Sequence, residues 1–309
     1  MSSELTHNWD DPMFLVRSDP ARRARYRRLQ SWYRQAVLGV NAGLDSGGRP
    51  IGSLLPSEAV QSDPSLNFLR DERLARIALD RLAENRGTFV GDRLKRNLLS
   101  SQPLCVNLFG MLKLHPDAAA VVLAAVTGLP IERVDLIEIE RAPDLATAVL
   151  NDRTAFDAYV EYRSSAGDRG FLGIETKYTE PFSDDLGLGE AKRDKYRRLA
   201  ELLPVFTTPL SADLLSPKAS QLFRNLLLSL AHADEEQIPG HVVVVALAAD
   251  PDAAAGVRIV REQLLAPDDH LRSASIESIV DAARTQPVLA AWAQAFTQRY
   301  LDLTPVTKR

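Results

Sequence analysis

Between Arg133 and Thr179 apolar and polar residues alternate in three short runs, RVDLIEIERA, TAFDAYVEYRS and RGFLGIETKYT. A period of two is the mark of β-strands, and turn-like connections separate the runs. Upstream the spacing changes. Leu74, Ile77, Ala78 and Leu82 in RDERLARIALDRLAE form a helical stripe, and helical texture resumes in GDRLKRNLLSSQPLCVNLFGMLKL and PDAAAVVLAAVTGL. Downstream, GLGEAKRDKYRRLAELLP predicts a basic amphipathic helix stopped by Pro204, and SPKASQLFRNLLLSLAHA predicts a second helix. HVVVVALAA is apolar enough for a strand buried on both faces, and residues 251–309 are expected to be helical. The order is helices, three strands, two helices, a buried strand and closing helices, which predicts an α/β domain with a mixed central sheet flanked by helices.

The stretch NAGLDSGGRPIGSLLPSEAVQSDPSLNFL is rich in Gly, Ser and Pro and suggests a boundary near residue 65. The expected organisation is therefore an N-terminal basic helical extension over 1–65, a core over 66–250 and a helical cap over 251–309. Seven arginines crowd residues 17–34, with Tyr26, Trp32 and Tyr33 among them. A helix docked on the body and a helix touching phosphates are both open for this stretch.

Composition narrows the setting without naming a partner. The net charge is −4, so a nucleic-acid or membrane partner would have to be met by a local patch. The single cysteine, Cys105, rules out an internal disulfide and fits a reducing cytoplasm. It is expected to be a small buried hydrophobe. The acidic N-terminus MSSELTHNWDD does not have the pattern of a signal peptide, and the longest apolar run, AAAVVLAAVTGLPI, is too short to span a bilayer, so no membrane is expected.

The chemistry concentrates in GFLGIETKYTE. Along this strand Phe171, Gly173, Glu175 and Lys177 share one face, while Leu172, Ile174, Thr176 and Tyr178 share the other. A three-residue hairpin loop, Ser165-Ala166-Gly167, would pair Ser164 with Asp168. Counting back, Glu161 faces Phe171 and Asp157 faces Glu175. Two opposed carboxylates repel. A hard divalent cation between them, Mg²⁺ or Mn²⁺, would relieve the repulsion, with Lys177 one pleat away. A solvated charged face on an amphipathic hairpin is the competing account. Glu138 and Glu140 offer a rival acidic pair with no lysine after it.

Asp157, 17 intervening residues and then Glu175-Thr176-Lys177 after an apolar strand resemble the PD-(D/E)xK nuclease superfamily. LLSSQPLCVNLFG, FLGIETKYTEPF and SQLFRN are similar to a bacterial group of restriction-endonuclease-like proteins within it, over roughly residues 50 to 250. The proline that often precedes the first acid is replaced here by Phe156. No helical acid obviously completes the metal shell; Gln102, Asn107, Glu72 and Glu84 are candidates, and capping competes with ligation for the first two.

The resemblance implies a restriction-endonuclease-like core with helical extensions, and a Mg²⁺- or Mn²⁺-dependent endonuclease. Asp157, Glu175 and the carbonyl of Thr176 would hold the metal, and Lys177 would orient water or stabilise charge. Glu161 and Glu180 would be auxiliary acids, with simple solvent exposure as the alternative. Lys192, Arg193, Lys195, Arg197 and Arg198 on the following helix would grip phosphates, and Arg224 would be an auxiliary phosphate contact or a surface ion pair. DNA is favoured over RNA as the partner, with restriction or phage defence as the setting, a homodimer for double-strand cuts and a defence-system partner protein. A catalytically silent nucleic-acid-binding or scaffolding protein of the same fold, and an enzyme acting on another phosphodiester, are the competing classes.

Overall fold

In the computed structural model, residues 13–84, 89–143, 150, 154–182 and 189–307 are described; the acidic segment 1–12 lies outside them. The order of elements begins with helices α1 (Ala21–Trp32), α2 (Glu72–Ala83), α3 (Ser101–Cys105) and α4 (Pro116–Thr127). Strands β1 (Ile131–Arg141), β2 (Phe156–Ser164) and β3 (Arg169–Thr176) follow, then helices α5 (Glu190–Glu201) and α6 (Ser220–Glu236). Strand β4 (Gly240–Ala246), helix α7 (Pro251–Arg261), strand β5 (Leu271–Ser275) and helices α8 (Ile276–Arg284) and α9 (Ala290–Tyr300) come next, and a single helical turn, Thr304–Thr307, follows them.

Local chemistry sets several of these limits. Asp71 accepts a hydrogen bond from the Arg73 N–H and caps α2, and Asp250 does the same for Asp252 and Ala253 with Pro251 opening α7. Gly128, at φ +70°, ends α4 in the left-handed region where a side chain is disfavoured.

The five strands form one sheet in the order β1-β2-β3-β4-β5. The first three are an antiparallel meander, and β4 and β5 run parallel to β3. The β2–β3 hairpin has the register predicted from its loop. Glu161 pairs with Phe171, the Ser164 N–H donates to the Asp168 carbonyl at 2.8 Å, and Gly167 sits at φ +87°. The fifth strand, LRSAS, departs from the all-helical expectation for residues 251–309. It is short and mostly polar, so its pattern carries no strand signal, yet β4 supplies an edge on which it can pair.

Both faces of the sheet are covered, which overturns the solvated charged face. Ala158, Val160, Tyr162, Leu172 and Ile174 pack with Val243 and Val245 under α2, α3, α4, α8 and α9. Tyr159, Phe171, Val242 and Val244 pack on the other side under α5, α6 and α7. Val242 to Val245 are all buried, as a strand covered on both faces requires.

The N-terminal helix is tied into this body rather than held out for phosphate. Arg22 pairs with Asp250 and Asp252, Arg23 and Arg27 pair with Asp19, and buried Arg34 donates to the carbonyls of Gly52 and Val40. Gln30, fully buried, donates to the Tyr178 hydroxyl and to the Arg299 carbonyl. These contacts consume arginines that the sequence offered as phosphate ligands.

Gly173 marks a tight approach inside the hairpin. A β-carbon there would come within 2.4 Å of the buried Phe156 ring, which lies across the strand. Gly173→Ala is expected to lower stability by about 1–3 kcal/mol through overpacking, measured by chemical denaturation. Unchanged stability would show that Phe156 can move aside.

Candidate active site

The pairing that joins Ala158 to Ile174 places Asp157 opposite Glu175 at the end of the β2–β3 ladder. On the other side, β1 joins Ile139 to Ala158 and Arg141 to Phe156, so Glu140 stands opposite Asp157. Three acids therefore lie in a row across three strands. Glu140 is buried and holds φ +57°, an uncommon conformation for a residue with a side chain. Sequence reasoning set Glu140 aside as part of a rival pair. The β1–β2 connection is too long to fix a register by counting, so no local signal could align Glu140 with Asp157.

Glu175 is 1% exposed, and its carboxylate is fully engaged in a polar network. Lys177 Nζ lies 2.7 Å from Oε1, Gln221 donates to the same oxygen at 2.7 Å, and Asn225 donates to Oε2 at 2.6 Å. Gln221 and Asn225 are one helical turn apart on α6, so one face of that helix reaches the strand. Arg224, between them in sequence, is half-buried, and the amides on either side of it reach Glu175. SQLFRN held these residues in plain view, but no spacing rule distinguishes a buried amide from an exposed one before the helix is docked.

Lys177 also donates to Gln221 Oε1 at 2.9 Å and lies 5.1 Å from the centre of the Phe182 ring. Burial alone would push its ammonium pKa down, but the charges of Glu175 and Asp157 outweigh this and hold it above the ordinary lysine value. The group stays protonated at neutral pH. Asp157 is raised too, but there the shift disfavours its charge: burial, then the charges of Glu175 and Glu140, push its carboxyl well above the usual range. Its Oδ2 accepts from the Thr176 N–H at 2.7 Å and from the Thr176 hydroxyl at 2.6 Å. Thr176 thus contributes two donors that align the acid, in addition to the carbonyl expected of it.

Charge and donor set suit a hard divalent cation. Asp157 and Glu175 lie close to the Lys177 ammonium, Glu140 acts on Asp157 from the neighbouring strand, and every donor atom on the acids is oxygen. Glu175 uses three acceptor sites of about four that a carboxylate offers, and Asp157 Oδ1 takes no hydrogen bond among the described residues. Oxygen lone pairs therefore remain on both.

The auxiliary candidates divide. Glu180 anchors α3 beneath the motif: its side chain accepts from the Ser101 N–H at 2.9 Å and pairs with Arg93 at 2.9 Å. Glu161 lies four residues along β2 from Asp157, takes the Tyr159 hydroxyl and faces Arg169, away from the row of acids. Asn107 is fully buried and donates to the Asn67 carbonyl and the Tyr300 hydroxyl, so it is an interior brace rather than a ligand. Gln102 accepts from the Val90 N–H at the start of α3. Glu84 pairs with Arg81, and Glu72 is exposed in the first turn of α2. Lys192, Arg193, Arg197 and Arg198 are exposed on α5 and Lys195 is half-buried there. Cys105 is buried, and burial pushes its thiol pKa far up, so it is no nucleophile.

A family model described as the PD-(D/E)XK nuclease superfamily matches residues 17–302. No curated protein and no solved structure matches the chain. Among the described residues no helix is long and apolar enough to cross a membrane.

Two stability measurements probe this electrostatic arrangement. The folded protein raises the Asp157 pKa above its unfolded value, so the charged form costs stability at neutral pH, and that cost fades as pH falls through the folded value. Asp157→Asn is expected to raise the melting temperature in chelator at pH 7, with the gain shrinking towards acid; a marked loss counts against the repulsion. Glu180 has the opposite sign. Burial opposes its charge, but hydrogen bonds from Ser101 and the charges of Lys177 and Arg93 hold its pKa at about 2, against an ordinary 4.5. Wild type should exceed Glu180→Gln in stability above about pH 4.5, and the difference should close as pH falls towards 2.

Proposed function

The chain belongs to the PD-(D/E)XK nuclease superfamily, and from that membership we propose that it is a metal-dependent endonuclease hydrolysing phosphodiester bonds in DNA. The observation that carries this reading is the buried Glu175–Lys177 pair beside Asp157, with oxygen lone pairs left over on both acids. Asp157, Glu175 and the Thr176 carbonyl would hold Mg²⁺ or Mn²⁺. Such an ion, when bound, polarises the scissile phosphate and acidifies the attacking water.

The protein's own groups do the rest. Lys177 keeps its proton on Nζ, so it serves as a fixed positive charge for the electrons that build up on phosphate oxygens, not as a base. Gln221 and Asn225 fix the Glu175 carboxylate in one orientation, and Thr176 fixes Asp157. Water exclusion by Phe182 and the layer above strengthens each of these interactions. The exposed cations of α5, which packs beside α6, supply phosphate contacts along the strand entering the site. Restriction of foreign DNA or another form of phage defence is the setting we favour, with a homodimer delivering double-strand cuts.

Because Glu175 and Lys177 are buried, near-isosteric changes test chemistry without opening cavities. Asp157→Asn, Glu175→Gln and Lys177→Met are each expected to reduce Mg²⁺-dependent plasmid nicking by about 10²–10³-fold or more, with an unchanged circular dichroism spectrum. EDTA is expected to abolish cleavage by the wild type. A Glu175→Gln protein that nicks as fast as wild type would falsify the assignment. Metal binding by wild type with no cleavage of plasmid, phage or single-stranded DNA would point instead to a silent binding protein.

A further inference from the structure

At the far end of α6 a second group of ligand atoms converges. His232, Glu235 and Glu236 occupy positions i, i+3 and i+4, and one ligand atom from each lies within 4.8 Å of the others. The two glutamates are exposed, whereas the imidazole is 4% exposed.

The hydrogen bonds of the imidazole determine which nitrogen is available. The Tyr159 hydroxyl donates to Glu161 Oε1 at 3.2 Å, so its single proton is committed there. His232 Nε2 lies 3.0 Å from that same hydroxyl oxygen, and with the hydroxyl proton on Glu161 it is the donor of this contact. A neutral ring with its proton on Nε2 carries its lone pair on Nδ1. Nδ1 is buried, faces the glutamates and has no hydrogen-bond partner among the described residues; the Glu235 carboxylate is 3.9 Å away, too far for one. The ring packs edge-on against Tyr159 and Phe171.

The surroundings favour a cation at this point. Glu235 and Glu236 stand in the last turn of α6, where the helix dipole already presents negative charge, and no basic residue occupies that turn. Arg141, on β1, lies over the Tyr159 ring at 5.6 Å and pairs with Glu138. The chain from Nε2 through Tyr159 to Glu161 is the kind of outer-shell support that orients a metal-binding histidine.

We propose that His232 Nδ1 and the carboxylates of Glu235 and Glu236 form a site for a borderline-soft divalent transition ion such as Zn²⁺ or Co²⁺, separate from the Asp157–Glu175 centre. One imidazole nitrogen with two carboxylates selects such ions over Mg²⁺, which prefers oxygen throughout. The ion would fasten the C-terminal turn of the helix that also carries Gln221 and Asn225.

The test is Co²⁺ titration of the full chain in a large excess of Mg²⁺, followed by visible d–d absorption and by metal content after dialysis. Wild type is expected to retain one Co²⁺ with visible bands. Glu235→Gln/Glu236→Gln, both exposed and so compatible with folding, is expected to lose the ion and the bands, while Glu175→Gln keeps them. No Co²⁺ retained by wild type, unchanged binding by the double variant, or loss of the bands in Glu175→Gln would each overturn the proposal.

Discussion

A carboxylate buried in the middle of a protein is tolerable only when its charge and its lone pairs are met. Glu175 is that carboxylate, and Lys177, Gln221 and Asn225 are what meet it. The lysine is supplied by the same strand, two residues on, but the amides come from a helix more than forty residues away. This requirement ties β3 to α6 at one rotational setting and one height. If α6 rotated by a single residue, both amides would leave the acid, and an ionised group would remain in an apolar layer.

The rest of the molecule holds the end of β3 in place for that contact. Tyr178, next after the lysine, accepts from Gln30 of α1 and donates to the Tyr300 carbonyl at the end of α9, so α1 and α9 close over the same strand. Buried Arg299 extends the brace, donating to the Asn67 carbonyl and side chain and lying 4.6 Å from the centre of the Tyr300 ring. Glu180 fastens the segment beyond the motif to the first turn of α3. The exit from the strand is therefore fixed on three sides, and the polar row at its end has little freedom to rearrange.

Several of these relations were legible before any coordinates. The three-residue loop at Ser165–Gly167 dictates the β2–β3 register, because loop length and a left-handed glycine leave one way to close the hairpin. Alternation then places Asp157, Glu175 and Lys177 on one face. The arginines of α1 looked like phosphate ligands because composition reports charge but not its partners; Asp19, Asp250 and Asp252 claim three of them. Asn107 looked like a site residue because its segment belongs to the family pattern, yet it braces Asn67 and Tyr300.

Neighbours along the chain suffice to set strand alternation, the hairpin register and the Glu-x-Lys spacing. The tertiary structure alone decided that the charged face would be covered, that Glu140 would join the row, and that Gln221 and Asn225 would be the partners of Glu175. The physical reason is one of range. Turn geometry and pleat operate over a few residues, whereas the covering of a sheet face depends on where distant helices find enough apolar surface to dock.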